Sequence, residues 1–301
     1  MPGHSRQLSQ RQQRQGRPEW LTWDSYPFEV RTLTSPEGDI GYIDEGAGPP
    51  LVFVHVGMWS FVWRDLIVRL RGEYRCVAID APGSGLSPAP AAGAPGIAEA
   101  AKAVDQVVQH LSLNDITLVF HDLGGPASLL AAGNWIDRVR LLVAVNTFGW
   151  RPSGVVLPSM LRLMGSAPMR HLDVLTAWLP HISSTRFGVG RNLDKQDRAV
   201  FRRGMHRRGR AMFHRYVNSA RPGHSDYESI ETNVKRLADS RLVSIFGERN
   251  DPGHFQEQWL QLFPDATRVV IPGGYHFPMC DDPDLVAATI AAHALGGTGS
   301  Q

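Results

Sequence analysis

The sequence predicts an α/β fold: a mostly parallel sheet with helices on both faces and a helical block inserted between two of its strands. Three observations predict it. Short runs rich in Val, Ile and Leu recur along the chain, as strands buried on both faces require. Stretches with helix-like spacing of apolar residues lie between those runs. One long interval, 148–239, has helical stretches and several Gly and Pro breaks but no convincing strand.

Taken in order, Phe28–Leu33 and Asp39–Glu45 read as an antiparallel hairpin at the sheet edge. The strands that follow are Leu51–His55, Cys76–Asp80, Ile116–Phe120, Leu141–Asn146, Arg241–Phe246 and Thr267–Ile271. Helical spacing marks Phe61–Arg71, Gly96–Leu111, Pro126–Trp135, Phe255–Phe263 and Pro283–His293. The resulting division is a disordered tail at 1–18, a core in two parts at 19–147 and 240–296, a cap at 148–239 and a short tail at 297–301. The cap is expected to close over the carboxyl ends of the strands, where open α/β sheets bind ligands.

Composition is that of an ordinary globular protein, with 43% hydrophobic and 20% charged residues among 301. No run of about 18 apolar residues is present, so no membrane partner is expected. A net charge of +2 gives no reason to expect nucleic acid. Charge is uneven: Arg151 to Ser240 holds 16 Lys/Arg against 7 Asp/Glu, densest at Arg202–Arg210. That run is either a solvated helix face or an anion-attracting rim. Two cysteines, Cys76 and Cys280, are too few for a disulfide framework and read as free thiols in a reducing compartment. The Gln- and Arg-rich start lacks the apolar stretch of a signal peptide, so a cytoplasmic protein, monomer or homodimer, is expected.

The chemistry concentrates in Ile116-Thr-Leu-Val-Phe-His-Asp122-Leu-Gly-Gly-Pro126, where a buried strand runs through small residues into a helix. A nucleophile elbow is built this way, with its central residue in strained backbone geometry. The centre is Asp122. An aspartate there also suits a plain helix cap, but this one follows the third long strand and has a histidine and an acid downstream in the required order. The histidine is His276, in a Gly-rich turn after the last strand. Asp251, in the loop Gly247-Glu-Arg-Asn-Asp-Pro252, is the preferred acid, with Asn250 beside it and Glu248 a poorer choice. The loop after Asn146 offers no carboxylate.

These residues resemble the haloalkane dehalogenases and, more broadly, the epoxide hydrolases of the α/β-hydrolase superfamily. The likeness spans about Tyr26 to His293 and includes Asp44–Pro50, Trp59–Asp65, Arg75–Ser87, His121–Pro126, Asn146-Thr147 and His276–Pro278. It implies the α/β-hydrolase fold and a hydrolase with Asp122, Asp251 and His276 as catalytic residues. Backbone N–H groups of Val56 and Leu123 would form the oxyanion hole. It also implies a small apolar substrate and no metal or organic cofactor.

Two departures stand out. The chain has His55-Val-Gly-Met58 where these dehalogenases carry His-Gly-Asn-Pro, and Leu123 where they carry Trp. Both side chains that hold the departing halide are therefore missing. Trp59 and Trp63 are the candidate replacements, and Tyr216 and Tyr227 are the cap tyrosines that an epoxide opening would use as acids. Trp150, Leu175, Trp178 and Phe213 are expected to wall the pocket.

Overall fold

Eight strands form one sheet in the order β1-β2-β4-β3-β5-β6-β7-β8. They are β1 (Arg31–Leu33), β2 (Ile40–Glu45), β3 (Pro50–His55), β4 (Arg75–Asp80), β5 (Ile116–Asp122), β6 (Val139–Thr147), β7 (Arg241–Gly247) and β8 (Thr267–Ile271). This arrangement is seen in a computed structural model that describes residues 17–35, 38–90 and 95–294. The expected edge hairpin is present, with β1 antiparallel to β2 and β2 antiparallel to β4. From β4 to β8 every pairing is parallel. The central strands are buried except for one partly exposed residue each, which explains their apolar runs.

Among the described residues, six α-helices belong to the core. They are α1 (Arg64–Leu70), α2 (Ile97–His110), α3 (Gly124–Ala132), α10 (Phe255–Leu262), α11 (Pro278–Asp281) and α12 (Pro283–Ala294). Between β6 and β7 lie six more and no strand: α4 (Val156–Met164), α5 (Ala167–Thr176), α6 (Trp178–Ser183), α7 (Lys195–Gly204), α8 (Arg207–Ser219) and α9 (Tyr227–Arg236). The block expected from sequence thus holds helices and no strand. Its last helix behaves differently from the rest: α9 lies against α3, and Asn233 donates from Nδ2 to the Leu129 carbonyl at 3.1 Å.

Four contacts seat the insertion on the carboxyl ends of β3 and β4. The Trp59 indole donates to the Phe201 carbonyl at 3.1 Å, and the Tyr216 hydroxyl donates to the Pro82 carbonyl at 2.7 Å. Phe213 covers Gly57, and Met212 covers Gly83. Within the insertion, Asp173 is fully buried and accepts from Leu179 N at 2.9 Å and from His214 Nε2 at 3.2 Å. Arg210 donates to three backbone carbonyls, including those of Asp173 and Val174. These bonds tie α5, α6 and α8 together.

The expected tails lie almost wholly outside the described residues, as do 297–301. Arg17 and Pro18 are the exceptions, and Arg17 is tied to the fold. Its guanidinium donates to the carbonyls of Leu21, Thr22, Tyr26 and Phe28, so the fold already holds a residue that the sequence assigned to the tail.

Candidate active site

Strand β5 delivers Asp122 at its end, and α3 begins two residues later. Asp122 has φ of 51°, the left-handed region that costs a non-glycine residue energy and is retained here by its surroundings. Two neighbours enforce the turn. The Thr147 hydroxyl donates to the Asp122 carbonyl at 2.6 Å. At Gly124 a Cβ would collide with the Val54 carbonyl on β3, and at Gly125 with Thr147 Oγ1, so strand and helix can approach only if both are glycine.

His276 follows β8 in the turn before α11 and brings Nε2 to 3.6 Å from Asp122 Oδ2. Burial alone would raise the Asp122 pKa. The hydrogen bond and charge of His276, with smaller contributions from His121 and His55, outweigh it and draw the carboxyl down to about 2. Asp122 is therefore an anion at neutral pH, facing the His276 ring across a short gap.

The other ring nitrogen of His276, Nδ1, meets Asn250 Nδ2 at 3.3 Å. With the Asn250 amide turned so that its oxygen accepts, Nδ1–H donates and Nε2 is left free as a base. Asp251 is not brought to His276. Its Oδ1 accepts from Phe255 N at 2.7 Å and its Oδ2 from Gln256 N at 3.1 Å, so the carboxylate caps α10. Glu248 is occupied too, accepting from Gly273 N at 2.7 Å. Asn146, at the end of β6, accepts from Gly247 N and donates to the carbonyls of Asn250 and Tyr275, which locks the Asn250 and His276 loops together.

A second pair of histidines lies beneath. His55 and His121 are register partners on β3 and β5, so their side chains share one face of the sheet. His121 Nε2 lies 2.7 Å from the His276 carbonyl, which requires Nε2–H, and its Nδ1 then accepts from His55 Nδ1–H at 3.3 Å. Burial lowers both pKa values, His55 to about 4 and His121 well below its ordinary range. Both are neutral near pH 7. Two histidines closing two apolar runs are a signal in the sequence, but their pairing follows from β3 and β5 being neighbours in the sheet.

The model of the alpha/beta hydrolase family matches residues 51–289, most of the chain and every element of this site. The chain belongs to the alpha/beta hydrolase family. The hydrolase is 32% identical to haloalkane dehalogenase 2 of Mycobacterium tuberculosis over 279 residues, covering 88% of this chain and 94% of the relative. It is 26% identical to a cis-3-alkyl-4-alkyloxetan-2-one decarboxylase of Shewanella oneidensis, covering 88% and 87%. Its fold matches the crystal structure of haloalkane dehalogenase DbeA from Bradyrhizobium elkani with a TM-score of 0.75 at 15% identity, covering 89% and 97% of the two chains. It is a haloalkane dehalogenase-like alpha/beta hydrolase.

In this hydrolase the remaining predicted site residues fall in several places. Val56 and Leu123 are buried directly after His55 and Asp122, at the ends of adjacent strands. The Trp59 indole and the Tyr216 hydroxyl are consumed by the cap bonds described above, and the Tyr227 hydroxyl donates to the Ala220 carbonyl at 2.5 Å. Trp63 is fully buried against Phe53 and His121, and its Nε1 has no partner among the described residues. Trp150 packs on Phe255 and Trp259 of α10. Phe213 covers Gly57 beside the first loop, while Leu175 is 78% exposed and Trp178 packs on His214.

Proposed function

We propose that this hydrolase cleaves a small apolar molecule at a saturated carbon bearing a halide, through an ester on Asp122. The observation that carries the reading is an aspartate held at φ 51° on the elbow with His276 Nε2 3.6 Å from its Oδ2. A carboxylate nucleophile selects the substrate: attack on an acyl carbonyl gives an anhydride, whereas attack on a saturated carbon gives an ordinary ester.

In the first step an Asp122 oxygen forms a bond to carbon, and the halide departs with the electron pair of the carbon–halogen bond. In the second, His276 Nε2 takes a proton from water, and the hydroxide attacks the ester carbonyl of Asp122. Backbone N–H groups of Leu123 and Val56 hold the tetrahedral oxyanion. Its collapse releases the alcohol, the proton leaves through His276, and the Asp122 carboxylate returns. Asn250 takes the orienting place for which the sequence nominated Asp251.

Epoxide opening is the poorer reading, because both cap tyrosine hydroxyls donate to backbone carbonyls and neither is free to protonate an epoxide oxygen. The test is a matched panel of a bromoalkane, a terminal epoxide of equal length and a dialkyl oxetan-2-one. Halide release that is lost in Asp122→Asn is the expected result. Diol formation or loss of carbon dioxide without halide release would assign another leaving group.

A further inference from the structure

We propose that the exposed face of α4 and α5 in the cap docks on an anionic lipid surface. Helix α4 buries Leu157 and Leu161 and turns Val156, Met160 and Leu163 to solvent at spacings of four and three, so these three share one face. Val155, just before it, is 78% exposed. Helix α5 buries only Asp173 and exposes Leu172 and Leu175, three positions apart. The two helices pack against each other, and both pack on α8. These six are nearly half of the thirteen large hydrophobic residues exposed among the described residues, gathered between Val155 and Leu175. Single exposed apolar side chains are ordinary, whereas a gathered set marks an interaction surface.

Charge selects the occupant. Apart from Arg191, which pairs with Asp281, Phe148 to Leu193 carries four arginines and one carboxylate, and that carboxylate, Asp173, is buried inside the cap. Arg162 projects from α4 into solvent, and Arg170 on α5 is half-exposed. A second copy docking by two-fold symmetry would set this arginine-bearing face against itself. A layer of anionic headgroups over apolar chains matches both features: arginines meet phosphate while Leu, Val and Met enter the boundary region, the mode of helices lying in a membrane plane. No helix among the described residues is long and apolar enough to cross a membrane, so the contact would be peripheral.

The experiment is flotation of the full chain with vesicles of phosphatidylcholine alone and of phosphatidylcholine mixed with phosphatidylglycerol. Expected is a bound fraction about tenfold higher on the anionic vesicles, falling in about 0.5 M salt as screening sets in. Leu163→Glu/Leu175→Glu should abolish it and Arg162→Glu/Arg170→Glu should weaken it, with circular dichroism unchanged. Val155→Ser/Val156→Ser serves in place of the first pair if that pair does not fold. Equal binding to both vesicles, no binding to either, or binding indifferent to all three variants overturns the proposal. So does a wild-type dimer in sedimentation that these variants dissolve while no vesicle is bound, which would give the face to a second copy.

Discussion

His276 Nδ1 faces the side-chain amide of Asn250 at 3.3 Å, where the sequence had placed a carboxylate. A neutral partner orients the ring but does little for an imidazolium, so the base operates without charge support. Asn250→Ala should slow ester hydrolysis about tenfold, and Asn250→Asp should speed it by a similar factor. Asp251→Ala should leave the rate of ester hydrolysis in place and instead lower stability by about 1 kcal/mol through the lost cap of α10. A slowing in Asp251→Ala as large as in Asn250→Ala would return the orienting role to Asp251.

Leaving-group chemistry separates Leu123 from Trp59. The Trp59 indole is already bonded to the Phe201 carbonyl. Trp59→Phe should therefore loosen the cap and raise KM for a bromoalkane while kcat changes little. Leu123→Trp adds a donor beside the nucleophile, and a charge-assisted hydrogen bond worth about 1.5–3 kcal/mol should raise kcat by roughly ten- to a hundredfold. A large fall of kcat in Trp59→Phe with KM unchanged would show that this indole reaches the halide.

The buried histidine pair gives stability a pH dependence. His55, lowered to about 4 in the fold, and His121, also lowered by burial, take up protons on unfolding, so stability is full above pH 6.5 and falls as pH drops toward 4. Asp80 opposes this. Burial raises its pKa to about 6, so between about pH 4 and 6 it makes the fold less stable as pH rises. Burial also lowers His206 and raises Asp281, and three imidazoles against two carboxyls leave a net acid loss. Urea midpoints from pH 4.5 to 7 should show it, and in His55→Leu the proton uptake on unfolding at pH 5 should fall by about one. An unchanged slope in that variant would mean His55 is not held neutral.

Asp173 and His214 hold the cap from inside. His214 lies with Nδ1 2.6 Å from the Met164 carbonyl and Nε2 3.2 Å from Asp173 Oδ2, so both ring nitrogens face acceptors. Removing Asp173 strands a buried imidazole and the Leu179 N–H, and Asp173→Ala should cost about 3–5 kcal/mol. Limited proteolysis should then cut within 156–219 first. A variant as resistant as wild type would contradict the role given to this pair.

The strands, the edge hairpin and the helical insertion were legible in the sequence, because a parallel sheet covered on both faces leaves unbroken Val, Ile and Leu runs, whereas the order of strands across the sheet was not. The elbow was legible for a related reason: Gly124 and Gly125 are demanded by the backbone of Val54 and by Thr147. The acid was not. Asp251 and Asn250 are adjacent and both polar, and only the fold decides which one turns to His276 and which caps α10. Side-chain roles in the cap were equally hidden. Trp59 and Tyr216 are spent on backbone carbonyls far off in sequence, and Leu175 on a helix with almost no buried face points outward instead of into a pocket.

The central claim is a covalent ester on Asp122, and intact-protein mass spectrometry of His276→Ala tests it most directly. Without the base, displacement proceeds while ester hydrolysis stops. After exposure to 1-bromobutane the variant should carry one added butyl group, peptide mapping should place it on Asp122, and Asp122→Asn/His276→Ala should carry none. No added mass in His276→Ala while wild type releases bromide, or an adduct on another residue, would contradict the covalent route.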